Sequence, residues 1–173
     1  MYVLTIYTRH MTNTRSAHRQ GRQLVLVDIE NLVATPSPTA EEVRAVKAAL
    51  SEVNPDLGGA QWIVACSHHA APVVAFEFPG ARHLWRSGQD GADLALLEVL
   101  AHELVEERFE QVTVCSGDGI FAEAATWLAE SGVDVTVISL HGHLAKRLQL
   151  AARFIGYIPP AVGEQSLGSA GFW

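Results

Sequence analysis

The sequence predicts a doubly wound α/β fold: a parallel sheet of about five strands, ordered 3-2-1-4-5, with helices layered on both faces. Two observations carry that prediction. Across residues 23–158, short apolar runs rich in β-branched residues alternate with stretches of helical periodicity. Two of those runs, Leu24-Val25-Leu26-Val27 and Val112-Thr113-Val114-Cys115, stop at a small polar or acidic turn from which a helical pattern starts at once. That succession puts the turn at the carboxyl edge of the sheet, where open α/β sheets bind their ligands.

Taken in order, the first strand is Leu24 to Asp28, running into Ile29-Glu30-Asn31. Thr35-Pro36-Ser37-Pro38-Thr39 is a loop whose last residue can cap the next helix. That helix aligns Val43, Val46, Leu50 and Val53 until Asn54-Pro55-Asp56 and Gly58-Gly59 end it. Trp62 to Cys66 is the second strand, Ala71 to Phe78 a short helix, and Arg82-His83-Leu84-Trp85 a weak third strand. Ser87-Gly88-Gln89-Asp90 leads into the longest helix, with Leu94, Leu97, Ala101 and Leu104 aligned. Val112 to Cys115 is the fourth strand. The helix after it carries Phe121, Ala124, Ala125 and Leu128 and stops at Gly132. Val133 to Ile138 is the fifth strand, followed by a helix around Leu144 to Ala152 and a last short strand at Phe154 to Ile158.

The domain so outlined is residues 23–158. Residues 1–22 form a basic arm, expected to be flexible, with Arg9, Arg15, Arg19 and Arg22 and no acidic residue. It reads either as a mobile extension, with Met11 as another start, or as a tethered phosphate-binding arm. Residues 159–173 open with Pro159-Pro160, are rich in Gly and Ser, and are expected to fray.

A chain of 173 residues can bury one sizeable core, and 49% apolar content argues against global disorder. No apolar run approaches the roughly 18 residues of a membrane span. The apolar start, Met1 to Tyr7, has no basic region before it and no small-residue cleavage site after it, so a cytoplasmic location is expected. A formal charge of −7 argues against nucleic-acid binding over the whole surface, and leaves room for a local basic patch or a metal in an acidic pocket. Cys66 and Cys115 end strands separated by one other. Roughly 9–10 Å apart, they are beyond disulfide reach and read as reduced thiols.

In the order 3-2-1-4-5 the switch point lies between the strands ending at Asp28 and beside Asp118, and the helix opened by Asp90 and Asp93 returns over the same edge. Carboxylates brought together there cannot all stay ionised without a cation, and hard oxygen ligands suit Mg²⁺ or Mn²⁺. Asp28, Asp93 and Asp118 are the expected catalytic and metal-binding residues. Asn31, Ser116 and Asp90 are expected to support them, and Arg86, His68, Lys146 and Arg147 are candidate contacts to the phosphates of a substrate. Each has a plainer reading. Asp90 and Asp93 can form an N-cap pair, Asp118 can cap its helix, and the basic residues and His68 can be ordinary surface or loop residues. Asp28 is harder to dismiss, because a carboxylate ending an apolar strand is costly to bury.

Asp28-Ile29-Glu30-Asn31, Gly91-Ala92-Asp93-Leu94 and Ser116-Gly117-Asp118-Gly119-Ile120-Phe121 together resemble the NYN domains of the PIN-like nuclease superfamily. The resemblance covers residues 23–158 and implies a three-layer PIN-like, Rossmann-like fold. It implies Mg²⁺- or Mn²⁺-dependent hydrolysis of RNA to a 5′-phosphate and a 3′-hydroxyl. It also implies that Asp28, Asp93 and Asp118 are the metal-binding carboxylates, with Asn31 as their polar partner, and that the substrate whose phosphates are contacted is RNA. Related sequences often carry a second Asp where Ile120 stands. If that position faces the pocket, Ile120→Asp gains metal affinity; if it packs in the core, the variant only loses stability. The first is expected, because the turn places positions 118 and 120 near the same helix N-terminus.

The expected function is therefore a metal-dependent ribonuclease acting on single-stranded or structured RNA. The alternative is a catalytically weak or inactive RNA-binding scaffold of the same fold. A phosphatase using Asp28 as nucleophile is disfavoured, because Glu30 stands where a second Asp belongs. No membrane partner is expected, and homo-oligomerisation stays open.

Overall fold

The computed structural model describes residues 18–160. Six parallel strands form one sheet in the order β3-β2-β1-β4-β5-β6. They are β1 (Gln23–Asp28), β2 (Gln61–Cys66), β3 (Arg82–Trp85), β4 (Gln111–Cys115), β5 (Asp134–Leu140) and β6 (Phe154–Ile158). The expected order 3-2-1-4-5 holds, and the short last strand extends it beyond β5.

The central strands are apolar along their length because both faces are covered. Side chains alternate across β1, so Leu24 and Leu26 enter one core layer while Val25 and Val27 enter the other. The first layer is closed by α4 (Gly91–His102), the short α5 (Val105–Arg108), α6 (Ala122–Glu130) and α7 (Lys146–Ala151), through Leu96, Leu100, Leu128 and Leu148. The second is closed by α1 (Ile29–Val33), α2 (Ala40–Val53) and α3 (Ala71–Glu77), through Leu32, Val43, Leu50 and Val74. Thr39 caps α2 in a capping box with Glu42, and Arg44 pairs with Glu77 on α3 through two hydrogen bonds.

The face of α4 differs from the expected one. Ala92, Asp93, Leu96, Val99 and Leu100 are buried, whereas Leu94 is exposed and Leu104, past the helix end, is 57% exposed. Leu94-Ala95-Leu96-Leu97 puts an apolar residue on every side, so periodicity alone could not choose a face. The face chosen packs Leu96, Val99 and Leu100 into the core layer and carries Asp93 to the end of β1. Val53 is likewise more exposed than its α2 neighbours.

Of the basic arm, residues 1–17 lie outside the described residues, as do 161–173 of the tail. Arg19 is seated against the domain, donating to the carbonyls of Glu106 (3.0 Å), Ser131 (3.3 Å) and Gly132 (3.0 Å). Among the described residues, no helix is long and apolar enough to cross a membrane. Cys66 and Cys115 are buried free thiols on either side of β1, and burial pushes the Cys66 thiol up to about 12.

Candidate active site

Register fixes the site. Val27 is paired with Cys115 on β4 and Asp28 with Ala65 on β2, so these strands end level at one edge. Asp28 ends β1 and is also the N-cap of α1. It is only 3% exposed. The bonds its carboxylate accepts are long: 3.4 Å from the Asn31 amide and 3.5 Å from the Ser116 hydroxyl.

Asp93, in the first turn of α4, is 8% exposed and within hydrogen-bonding reach of Asp28. Its Oδ1 is buried and has no hydrogen-bond partner. Desolvation, and then the charge and hydrogen bond of Asp93, hold the Asp28 carboxyl well above the usual carboxylate range. Desolvation raises Asp93 as well. The bond from Asp28 acts in the opposite sense, and the charges of Asp118 and Asp90 add to the rise. Both carboxyls therefore hold their protons to higher pH than separate carboxylates would.

Asp118 follows β4. Its Oδ1 accepts the Ile120 N–H at 2.8 Å, capping a single 3-10 turn at Gly119–Phe121, so its capping reading holds. It acts on Asp93 through its charge. Among the described residues, no group of three His, Cys, Asp or Glu side chains is arranged to hold a metal ion. The edge thus brings Asp28 and Asp93 together as an interacting pair, with Asp118 beside it as a third charge.

Ser116 and Asn31 build the turn. The Ser116 hydroxyl donates to Asp28 and accepts the Asp118 N–H at 3.2 Å. Asn31 Oδ1 accepts the Gly117 N–H at 2.8 Å, tying α1 to the end of β4. A Cβ on Gly117 would collide with the His143 carbonyl and come within 2.6 Å of Ser139 Oγ, so only glycine lets the β5–α7 loop approach. The Ala145 N–H then donates to the Gly117 carbonyl at 2.9 Å.

The other expected residues divide. Asp90 has a left-handed backbone (φ 53°) and makes no capping bond, which removes its N-cap reading. Arg86 pairs with Glu98 at 2.7 Å, and His68 Nδ1 lies 2.9 Å from Ser87 Oγ. Lys146 and Arg147 are exposed at the start of α7. Ile120 packs in part against the core layer that includes Phe121 and Leu128. The expected pocket-facing side chain thus packs instead against the core, because Ile120 enters the 3-10 turn beside Phe121.

The sequence reading passed over Glu30. Its Oε1 accepts the Ser67 N–H at 2.9 Å, joining α1 to the end of β2, and its charge raises both Asp28 and Cys66. The available signal was its place two residues after Asp28, in the turn that leaves the sheet edge.

Residues 22–158 match the NYN domain. Comparison with curated proteins finds no match. Among solved structures, a protein of unknown function from Vibrio parahaemolyticus is similar at TM-score 0.55 and 16% identity, over 82% of this chain and 94% of its own. A candidate Mar1 ribonuclease from Leishmania major gives TM-score 0.43 at 15% identity, over 80% of this chain and 79% of its own. The domain match spans the sheet and its acidic edge from β1 to β6, and the chain belongs to the NYN domain family.

Proposed function

We propose that this domain is a ribonuclease that hydrolyses RNA phosphodiester bonds with a Mg²⁺ or Mn²⁺ ion held at Asp28 and Asp93. The carrying observation is the buried Asp93 Oδ1 that lacks a partner while a second carboxylate lies against it. A buried oxygen in that position costs stability, and a hard cation with its retained waters satisfies it. Mg²⁺ is commonly held by one or two carboxylates, so the interacting pair is a sufficient protein contribution. When bound, such an ion lowers the pKa of a water and offsets charge developing on phosphorus.

The chain's own residues would perform the remaining tasks. Ion binding would favour the ionised forms of Asp28 and Asp93, against the rise that burial and their mutual charge impose. Asp118, its Oδ1 fixed by the Ile120 N–H, would add the third negative charge. Ser116 would keep Asp28 and the Asp118 backbone in register, and Asn31 would hold the Gly117 turn. RNA as substrate, with 5′-phosphate and 3′-hydroxyl products, rests on membership of the NYN family.

The test is cleavage of labelled single-stranded RNA with Mn²⁺, with chelator, and by Asp93→Asn. Loss of cleavage in both of the latter, by roughly 100-fold or more, supports the proposal. Cleavage unaffected by chelator would sink it. A catalytically weak RNA-binding domain is the second reading, favoured by Ile120 packing against the core in place of a further acid.

A further inference from the structure

Gly119 carries the guanidinium of Arg147. A Cβ at position 119 would collide with Arg147 Nε and come within 3.0 Å of its Cζ and Nη2, so the arginine lies against bare backbone. Gly119 directly follows Asp118 and is buried there, although it stands at the open edge of the sheet. The two residues border a cleft of about 490 Å³, also lined by Ile120, Ala122, Glu123 and Thr126.

This arginine is uncommitted. Arg44, Arg82, Arg86, Arg108 and Arg153 each pair with a carboxylate, and Arg19 is spent on carbonyls. Arg147 makes no hydrogen bond or ion pair among the described residues, even though Glu123 lines the same cleft. Its backbone is anchored to the site as well, since the Ala145 N–H at the start of α7 donates to the Gly117 carbonyl. A polyanion approaching an edge with Asp28, Asp93 and Asp118 needs a positive group beside it, and a planar guanidinium offers paired donors to phosphate oxygens.

We infer that Arg147, seated on Gly119, binds a backbone phosphate of the RNA strand beside the Asp28–Asp93 pair and so sets where that strand lies. The inference rests on the ribonuclease reading for the identity of the strand. Its contact is electrostatic, however, and can be measured without catalysis. Arg147 is a positioning residue: it would hold a phosphate other than the one cleaved.

The experiment measures binding of a short labelled single-stranded RNA, in chelator, across a salt series. The proteins are wild type, Arg147→Ala, Arg147→Lys, Gly119→Ala and the double alanine variant. One lost phosphate contact on a single strand should reduce the slope of log affinity against log salt by about 0.7. Arg147→Ala should show that reduction, and Arg147→Lys should retain most of the slope. Gly119→Ala should reproduce the arginine deletion while melting like wild type, because the added methyl meets only the far end of a flexible side chain. The double variant should lose no more than either single one. An unchanged slope in Arg147→Ala overturns the inference, and so does an unchanged slope in Gly119→Ala. If the slopes change as expected but no variant or wild type cleaves RNA with Mn²⁺, the phosphate contact stands and the ribonuclease reading falls. If wild type binds no RNA, both fall.

Discussion

Asp28→Asn should make the metal-free protein more stable at neutral pH. The folded chain holds Asp28 almost fully buried against Asp93, with Glu30 adding charge from the other side. Two carboxylates roughly 4 Å apart repel by about 4 kcal/mol at an effective dielectric of about 20. The raised pKa of both groups offsets part of this in the wild type. An asparagine removes the repulsion, keeps the side chain's shape and offers Asp93 an N–H donor. The amide keeps one acceptor oxygen, so at most one of the two long bonds, at 3.4 Å and 3.5 Å, is given up. A net gain of about 1–2 kcal/mol, or about 3–6 °C in Tm, is expected for a domain of this size.

The pH dependence carries the sign. Asp28 and Asp93 both lie above the ordinary value of 3.8 in the folded state. Their stabilising contribution is complete below the unfolded carboxylate pKa and is lost as pH rises through the raised folded values. The Tm difference between variant and wild type should therefore be small at acidic pH and grow toward neutrality. Thermal melts in chelator at matched pH measure it. Saturating Mn²⁺ should reverse the order by stabilising the wild type alone. An Asp28→Asn protein that melts below wild type at neutral pH in chelator would refute the repulsion argument.

Three further substitutions test the frame of the site. Asn31→Ala leaves the Gly117 N–H without its acceptor and should cost about 1–3 kcal/mol in urea unfolding. Gly117→Ala drives a methyl into the His143 carbonyl and should cost about 3 kcal/mol by the same measurement, with the β5–α7 loop displaced. Ile120→Asp puts a charge where a side chain packs against the core and should cost about 2–3 kcal/mol. Calorimetric Mn²⁺ titration should show no gain in affinity for it, and tighter Mn²⁺ binding with an unchanged Tm would instead place position 120 among the carboxylates.

The sheet was legible because its buried parallel strands are short, nearly continuous apolar runs, and each ends where a helix pattern starts. That is enough to bring Asp28, Asp93 and Asp118 to one edge. It does not give their separations. Asp28 and Asp93 interact because α4 turns its Asp93 face inward, and no period in Leu94-Ala95-Leu96-Leu97 announces that face. Asp118 spends one oxygen on the Ile120 N–H, a local choice of the turn that residue spacing does not encode. Glu30 and Arg147 depended on tertiary approach: one reaches Ser67 at the end of the neighbouring strand, and the other lies on a glycine some thirty positions earlier in the chain. Glycine in Ser116-Gly117-Asp118-Gly119 was visible, but what it makes room for was not.

The most direct test of the central claim is anomalous diffraction from a Mn²⁺-soaked crystal. The account predicts a peak bonded to carboxylate oxygens of both Asp28 and Asp93, including Asp93 Oδ1, with Asp118 facing it. A fully soaked crystal with no peak at the Asp28–Asp93 pair, or with Mn²⁺ bound elsewhere and Asp93 Oδ1 still without a partner, would contradict it.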